Sequence, residues 1–199
     1  MTTLLWTGAA GAWLFPVVFL LDGSTRPGYR QIRHPVSALA LGPRGRLQTA
    51  NFIVCGLAVA AAAAPLGDAT GSPLLAIATG VFGLALVASG VFPMDPMRGY
   101  PPGTPDGTPE DLSSRHHLHD QAGMAVFTSL PAAAFIAAFV LEDPVWKWYS
   151  GLTATAFTAG FLAFGHAWET DAAYTGLIQR VTIICGWIWL GLLFLQAAS

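Results

Sequence analysis

The chain has 199 residues, of which 54% are hydrophobic and only 10% charged, against roughly a quarter charged in soluble domains. That composition excludes an ordinary soluble globular domain, and the length excludes a large multidomain enzyme. Nine Lys and Arg against 11 Asp and Glu give a formal charge of -2, so there is no basic field for a phosphate backbone and no nucleic-acid partner is expected. With a mean hydropathy of +0.56 the bilayer is the expected solvent and membrane lipids are the expected partners.

A spanning helix needs about 20 largely apolar residues, because lipid offers the backbone no hydrogen-bond partner. Six stretches meet this: 4–21, 47–66, 73–92, 122–141, 148–168 and 177–197. The fold expected is all-α, a bundle of six transmembrane helices forming one integral membrane domain over 1–199. The first stretch lacks the Lys/Arg region that precedes the apolar core of a secretory signal, and no small-residue cleavage site follows it, so it is read as a true helix.

After the first helix, Pro27-Gly28 has the chemistry of a type II turn. The apolar run from Val36 to Leu41 is too short to span and is read as an interfacial or re-entrant piece, which survives at depth only when buried in protein or lining a wet cavity. In the second and third helices small residues recur at helical spacing, Gly56, Ala60 and Ala64 and then Ala76 and Gly80, which allows close approach of two backbones in lipid. Cys55 and Cys185 fall inside spans and read as small buried residues, with no disulfide expected. The loop after the third helix, through Asp95-Pro96 and Arg98 to Gly103, is dense in Pro and Gly and reads as a stiff lid. Thr108-Pro109-Glu110-Asp111 then has the pattern of a helix start: a Thr cap, Pro at the first helical position, and acids at the positive end of the dipole.

Arg26, Arg30, Arg33, Arg44, Arg46, Arg98, Arg115 and Arg180 all lie on the side of the first, third and fifth connections, and the opposite side has only Lys147. The positive-inside rule puts those connections in the cytoplasm and both termini outside, in the plasma (inner) membrane. All five histidines, His34, His116, His117, His119 and His166, fall on the same side.

At about 100° per residue, His116, His119, Asp120, Gly123 and Phe127 share one sector of the fourth helix. The spacing of His116 with His119 and Asp120 suits a hydrogen-bonded interfacial cluster first, and as the alternative a divalent cation completed by His166, Asp95 or His34. The metal candidates are therefore His116, His119, Asp120 and His166. Arg180, about one turn into an apolar segment, is expected to meet a carboxylate, Asp95 or Asp120 first, or to snorkel to the interface, because an unpaired charge there is costly.

The chain resembles the prokaryotic multi-pass membrane proteins of the domain of unknown function 998 family. The resemblance rests on Arg26-Pro27-Gly28-Tyr29, Pro35 to Leu39 with Gln48 and Asn51-Phe52, and Gly90 to Pro96 with Gly99 to Gly103. It continues through His119, Leu130-Pro131-Ala132, Gly176-Leu177, Gln179-Arg180, Trp187 and Trp189. It implies six membrane helices with the polar motifs gathered at one face, and it brings no reaction with it. The function expected first is a membrane-embedded enzyme acting on a lipid or other amphipathic substrate, with Asp95, His116, His119 and Asp120 as candidate catalytic groups. Arg26, Tyr29, Ser37, Gln48, Asn51, Tyr100 and Arg180 are its candidate substrate-binding residues. The alternatives are a transporter or small-molecule-binding membrane protein, and a non-catalytic accessory or structural subunit.

Overall fold

The computed structural model describes residues 1–199 and is all-helical, with six long helices and one short 3-10 helix. The long helices are α1 (Thr2–Thr25), α2 (Gly45–Thr70), α3 (Pro73–Val91), α4 (Ser114–Val140), α5 (Pro144–Glu169) and α6 (Thr175–Ala198). Five of them, α1 to α4 and α6, are long and apolar enough to cross a membrane. The sixth, α5, is 26 residues long, but Lys147 and a run of Thr and Gly dilute its apolar character. Most helices overrun the apolar stretches by a few residues, since intrahelical hydrogen bonding continues to the nearest cap and does not stop at the hydrocarbon edge.

The six helices form a ring in which each packs on its neighbours in the chain and α6 returns to α1. Aromatic rings fill the centre: Trp187 stacks on Phe15 with centroids 4.5 Å apart and meets Phe82 edge-on at 5.3 Å. All three are buried. The tightest seam joins α2 to α3, where a Cβ on Gly83 would lie 2.6 Å from the Ala60 nitrogen and one on Gly56 would lie 2.7 Å from the Gly83 carbonyl oxygen. Only hydrogen fits there. The small residues read from the sequence therefore do let two backbones touch. Cys55 is buried, Cys185 half-buried, and both are free thiols.

The connections after α1, α3 and α5 lie together at one end. The first turns at Gly28, whose φ is +72°, and then forms the 3-10 helix Val36–Ala40, wedged against α1, α2 and α6 with Val36, Ala38 and Leu39 buried. The expected helix start at Thr108 is corrected: α4 begins at Ser114 with Ser113 as its cap, and residues 105–113 are irregular. Ser113 prevails because its hydroxyl accepts the His116 N-H at 3.2 Å while Asp95 fixes Ser113 itself from across the loop.

Candidate functional site

Two arginines build the polar end from within. Arg180 Nη1 donates to the carbonyls of Gln31, His34 and Gly176, the last two at 2.9 and 2.8 Å, and Nη2 donates to the Tyr29 hydroxyl. Tyr29 in turn donates to the Pro35 carbonyl at 2.9 Å. Burial pushes the Tyr29 phenol up to about 12, against the opposing pull of Arg180, so it remains a donor throughout the neutral range. The expectation that Arg180 meets Asp95 or Asp120 is corrected: three carbonyls on Nη1 and a phenol on Nη2 hold the guanidinium without a carboxylate, while its Nε has no partner.

Arg26 performs the equivalent task on the other flank of the 3-10 helix. It pairs with Asp22 and donates to the carbonyls of Leu39, Leu41 and Arg44, each at 3.0 to 3.1 Å, and to the Tyr100 hydroxyl at 3.4 Å. Arg44 adds an ion pair to Asp22 at 2.9 Å, although its Nη2 lies off the angle of a hydrogen bond to that oxygen. Asn51 donates to the Phe15 carbonyl at 3.1 Å and to Gln48 at 3.3 Å inside the bundle. Of the seven candidate substrate-binding residues, Arg26, Tyr29, Gln48, Asn51, Tyr100 and Arg180 are thus buried, and all but Gln48, whose Nε2 has no partner, are spent on holding the loop and the helices together. Ser37 borders the main cavity of this end.

That cavity, about 330 Å³, opens between α4, α5, the 3-10 helix and the start of α6. His116, His119, Asp120, Gly123 and Phe127, the helix face read from periodicity, all line it, joined by Ser37 and Gln179. The opposite wall is an aromatic stripe on α5 of Phe161, Phe164 and Trp168. Its spacing of three and four residues was present in the sequence and marks one helix face, but the sequence reading assigned it no role. Phe127 stacks on Phe161 and Phe164 at 5.0 and 5.6 Å. Trp168 is held by the Arg98 guanidinium, 3.7 Å from its ring centroid, while Arg98 donates to the Trp168 carbonyl at 2.8 Å.

The hydrogen bonds fix both histidine tautomers. His119 Nδ1 faces two carbonyls, Phe92 at 2.8 Å and Ser89 at 3.3 Å, so it must carry the proton. Its Nε2 is therefore a lone pair, without a protein partner, on a side chain that lines the cavity. His116 is the reverse: Nδ1 accepts the Asp95 N-H at 2.8 Å, and Nε2 carries the proton 3.3 Å from Asp120. The Asp95 carboxylate faces away, accepting the Ser113 N-H and hydroxyl at 2.7 Å each. Burial by itself pushes its pKa up, but the Ser113 N-H and hydroxyl and the neighbouring His116 and His117 together outweigh this and hold it below the usual carboxylate range. The structure places Asp95 as a positioner of α4 and His116, outside the cavity lining.

The expected cation ligands do not converge, and no three His, Cys, Asp or Glu side chains are placed to hold a metal ion. His166 is exposed at the end of α5, and His34 is buried with Nδ1 accepting the Arg30 N-H at 3.0 Å. The two helical partners His116 and Asp120 bind each other, and His119 is turned onto α3 carbonyls, which separates the set.

Residues 9–196 match the family model described as Protein of unknown function (DUF998). The chain therefore belongs to that family of unknown function, and its long apolar helices make it a multi-pass membrane protein. No curated protein and no solved structure matches it.

Proposed function

We propose that the protein takes an amphipathic molecule, a lipid or lipid-like compound, from the bilayer into the cavity between α4 and α5. The observation that carries this reading is adjacency. The cavity shares Phe127 and Phe161 with a second, outward-facing crevice of about 770 Å³ between the same helices, lined by Pro131, Phe135, Ala154 and Leu162 among others. The polar groups lie at the first two turns of α4 and the crevice descends along the apolar remainder. At 1.5 Å per residue α4 is about 40 Å long, about 10 Å more than the hydrocarbon core. Its polar turns then sit at head-group level while the crevice faces acyl chains.

The topology that goes with this has six spans. α5 is about 39 Å long at the same rise and is packed between α4 and α6, so it crosses with them. The connections after α1, α3 and α5 carry eight arginines against Lys147 alone on the other side, which puts the site on the cytoplasmic side of the plasma membrane and both termini outside. The loop after α3 acts as the lid, with Met94 on the cavity wall and Arg98 against Trp168.

An enzymatic reading is favoured by one specific feature, the His119 imidazole with Nδ1-H anchored on a backbone carbonyl and Nε2 free, which is the arrangement of a general base. Transport is less favoured, since the ionisable groups crowd one rim and not the midplane where transport sites lie.

The test uses Gly165, where a Cβ would meet nothing within 4 Å because it projects into the cavity. Gly165→Leu fills the space without displacing a neighbour. Lipid mass spectrometry of protein purified in mild nonionic detergent should find an amphiphile retained at about one per chain by the parent and lost by the variant. Identical bound lipids in both would overturn the proposal.

A further inference from the structure

The hydrogen-bonding capacity left open in the cavity specifies the head group, and this inference rests on the amphiphile site proposed above. Five polar side chains line the cavity: Ser37, His116, His119, Asp120 and Gln179. Ser37 already gives its proton to Met94 Sδ at 3.3 Å, so its oxygen is left as an acceptor. His119 offers the Nε2 lone pair, and Asp120 offers a carboxylate that is only partly used by His116 at 3.3 Å. Gln179 has its oxygen committed to the Val36 N-H at 2.7 Å, leaving its amide free to donate, and the indole N-H of Trp168 on the aromatic wall is a second free donor. The balance is three acceptors to two donors, and the one formal charge among them is the Asp120 carboxylate.

Charge points the same way. No Lys or Arg lines either the cavity or the crevice. The Arg98 guanidinium, which touches the cavity-lining Trp168, is stacked on that ring and paired with Asp171 at 3.4 Å. His116 cannot supply a cation without placing a second N-H against the Asp95 N-H that Nδ1 now accepts. A phosphate or carboxylate entering here would meet Asp120 and a lone pair with no countercharge, and burying an anion unpaired is strongly unfavourable. A head group that donates hydrogen bonds meets acceptors on two walls.

We infer that the ligand is a single-chain amphiphile whose polar end is a hydrogen-bond donor, an alcohol or an amine, with its chain in the α4–α5 crevice. A single chain fits because the crevice runs along one helix pair, from Phe127 to Phe135 on α4, about 12 Å of helix rise bounded by Ala154 to Leu162 on α5. Pro131 lies midway along its α4 side, and the small residues Ala132, Ala154 and Ala159 are part of its lining.

Native mass spectrometry in nonionic micelles distinguishes the possibilities, using hexadecanol, hexadecylamine and hexadecyl phosphate as probes on the intact protein. One alcohol or amine should bind per chain at least about tenfold more tightly than the phosphate, the value of one hydrogen bond. Asp120→Asn, on an exposed side chain that leaves the fold intact, should weaken the amine more than the alcohol, and His119→Phe should weaken both by about tenfold. Tighter binding of alcohol than amine assigns a neutral donor, the opposite order an ammonium, and either supports the inference. Phosphate binding as tightly as the others, or indifference to both substitutions, overturns it. The site itself fails separately: in that case Gly165→Leu leaves the binding of all three probes unchanged.

Discussion

Removing the Tyr29 hydroxyl tests how the polar segment is held. In the native protein it accepts from Arg180 and donates to the Pro35 carbonyl at 2.9 Å, with the ring buried against Tyr100 at a centroid distance of 5.2 Å. A neutral hydrogen bond contributes about 1 kcal/mol and one to a charged group about 1.5 to 3. Tyr29→Phe keeps the packing and should therefore cost about 2 to 3 kcal/mol, a shift of roughly 30-fold or more in the folded to unfolded ratio. Arg180→Gln should cost more, about 3 to 5 kcal/mol, because three carbonyls lose a charged donor in a buried site. The double variant should cost about 1.5 kcal/mol less than the sum, since both single changes break the same bond. The assay is equilibrium unfolding of the three variants in mixed micelles. Strict additivity, or a Tyr29→Phe protein as stable as the parent, would refute the claim that these two side chains pin the loop to α6.

Other expectations follow from the same geometry. Gly83→Val should lose about 3 kcal/mol in the same unfolding assay, by overpacking against the Ala60 backbone, whereas Gly80→Val, whose Cβ position is 3.6 Å from the nearest atom, should lose little. Asp95→Asn exchanges a charged acceptor for a neutral one on Ser113 and should cost about 1 kcal/mol, with amide exchange quickening at the first turn of α4. Burial is the main reason the His34 imidazole titrates below the ordinary histidine value, with neighbouring arginines adding to it. The unfolded chain then binds a proton that the native protein does not, so stability is complete above about pH 6.5 and falls as the pH drops toward the native value, by at most about 1.4 kcal/mol per pH unit. His34→Asn should flatten that slope in thermal scans between pH 7.5 and 5.5.

The six helices, five of them apolar enough to span, and the face of α4 were legible because both rest on local rules: apolar length, and a rotation of 100° per residue that places His116, His119, Asp120, Gly123 and Phe127 in one sector. The common rim was legible too, since alternating helices return the first, third and fifth connections to one end, where Arg33 and Arg98 both meet Asp171. The roles within the rim were not. An arginine in an apolar segment demands a partner, but the sequence cannot say that carbonyls of a folded-back loop will supply it. Asp95 looked like a site carboxylate because its use as a clamp on Ser113 depends on a loop closure across 18 residues. Likewise Thr108 and Ser113 are both competent caps, and the choice between them is made by a tertiary contact. The α5 aromatic wall was visible as a stripe, but only the packing of α5 beside α4 shows that it faces a cavity.

The most direct measurement is photocrosslinking with a long-chain alcohol bearing a diazirine near its tail, applied to the protein in native-like bilayers and mapped by peptide mass spectrometry. Adducts should concentrate on α4 between Phe127 and Phe135 and on α5 between Ala154 and Leu162, and excess hexadecanol should abolish them. Adducts spread evenly over the exposed faces of α1, α3 and α6, unaffected by competitor, would contradict a ligand site between α4 and α5.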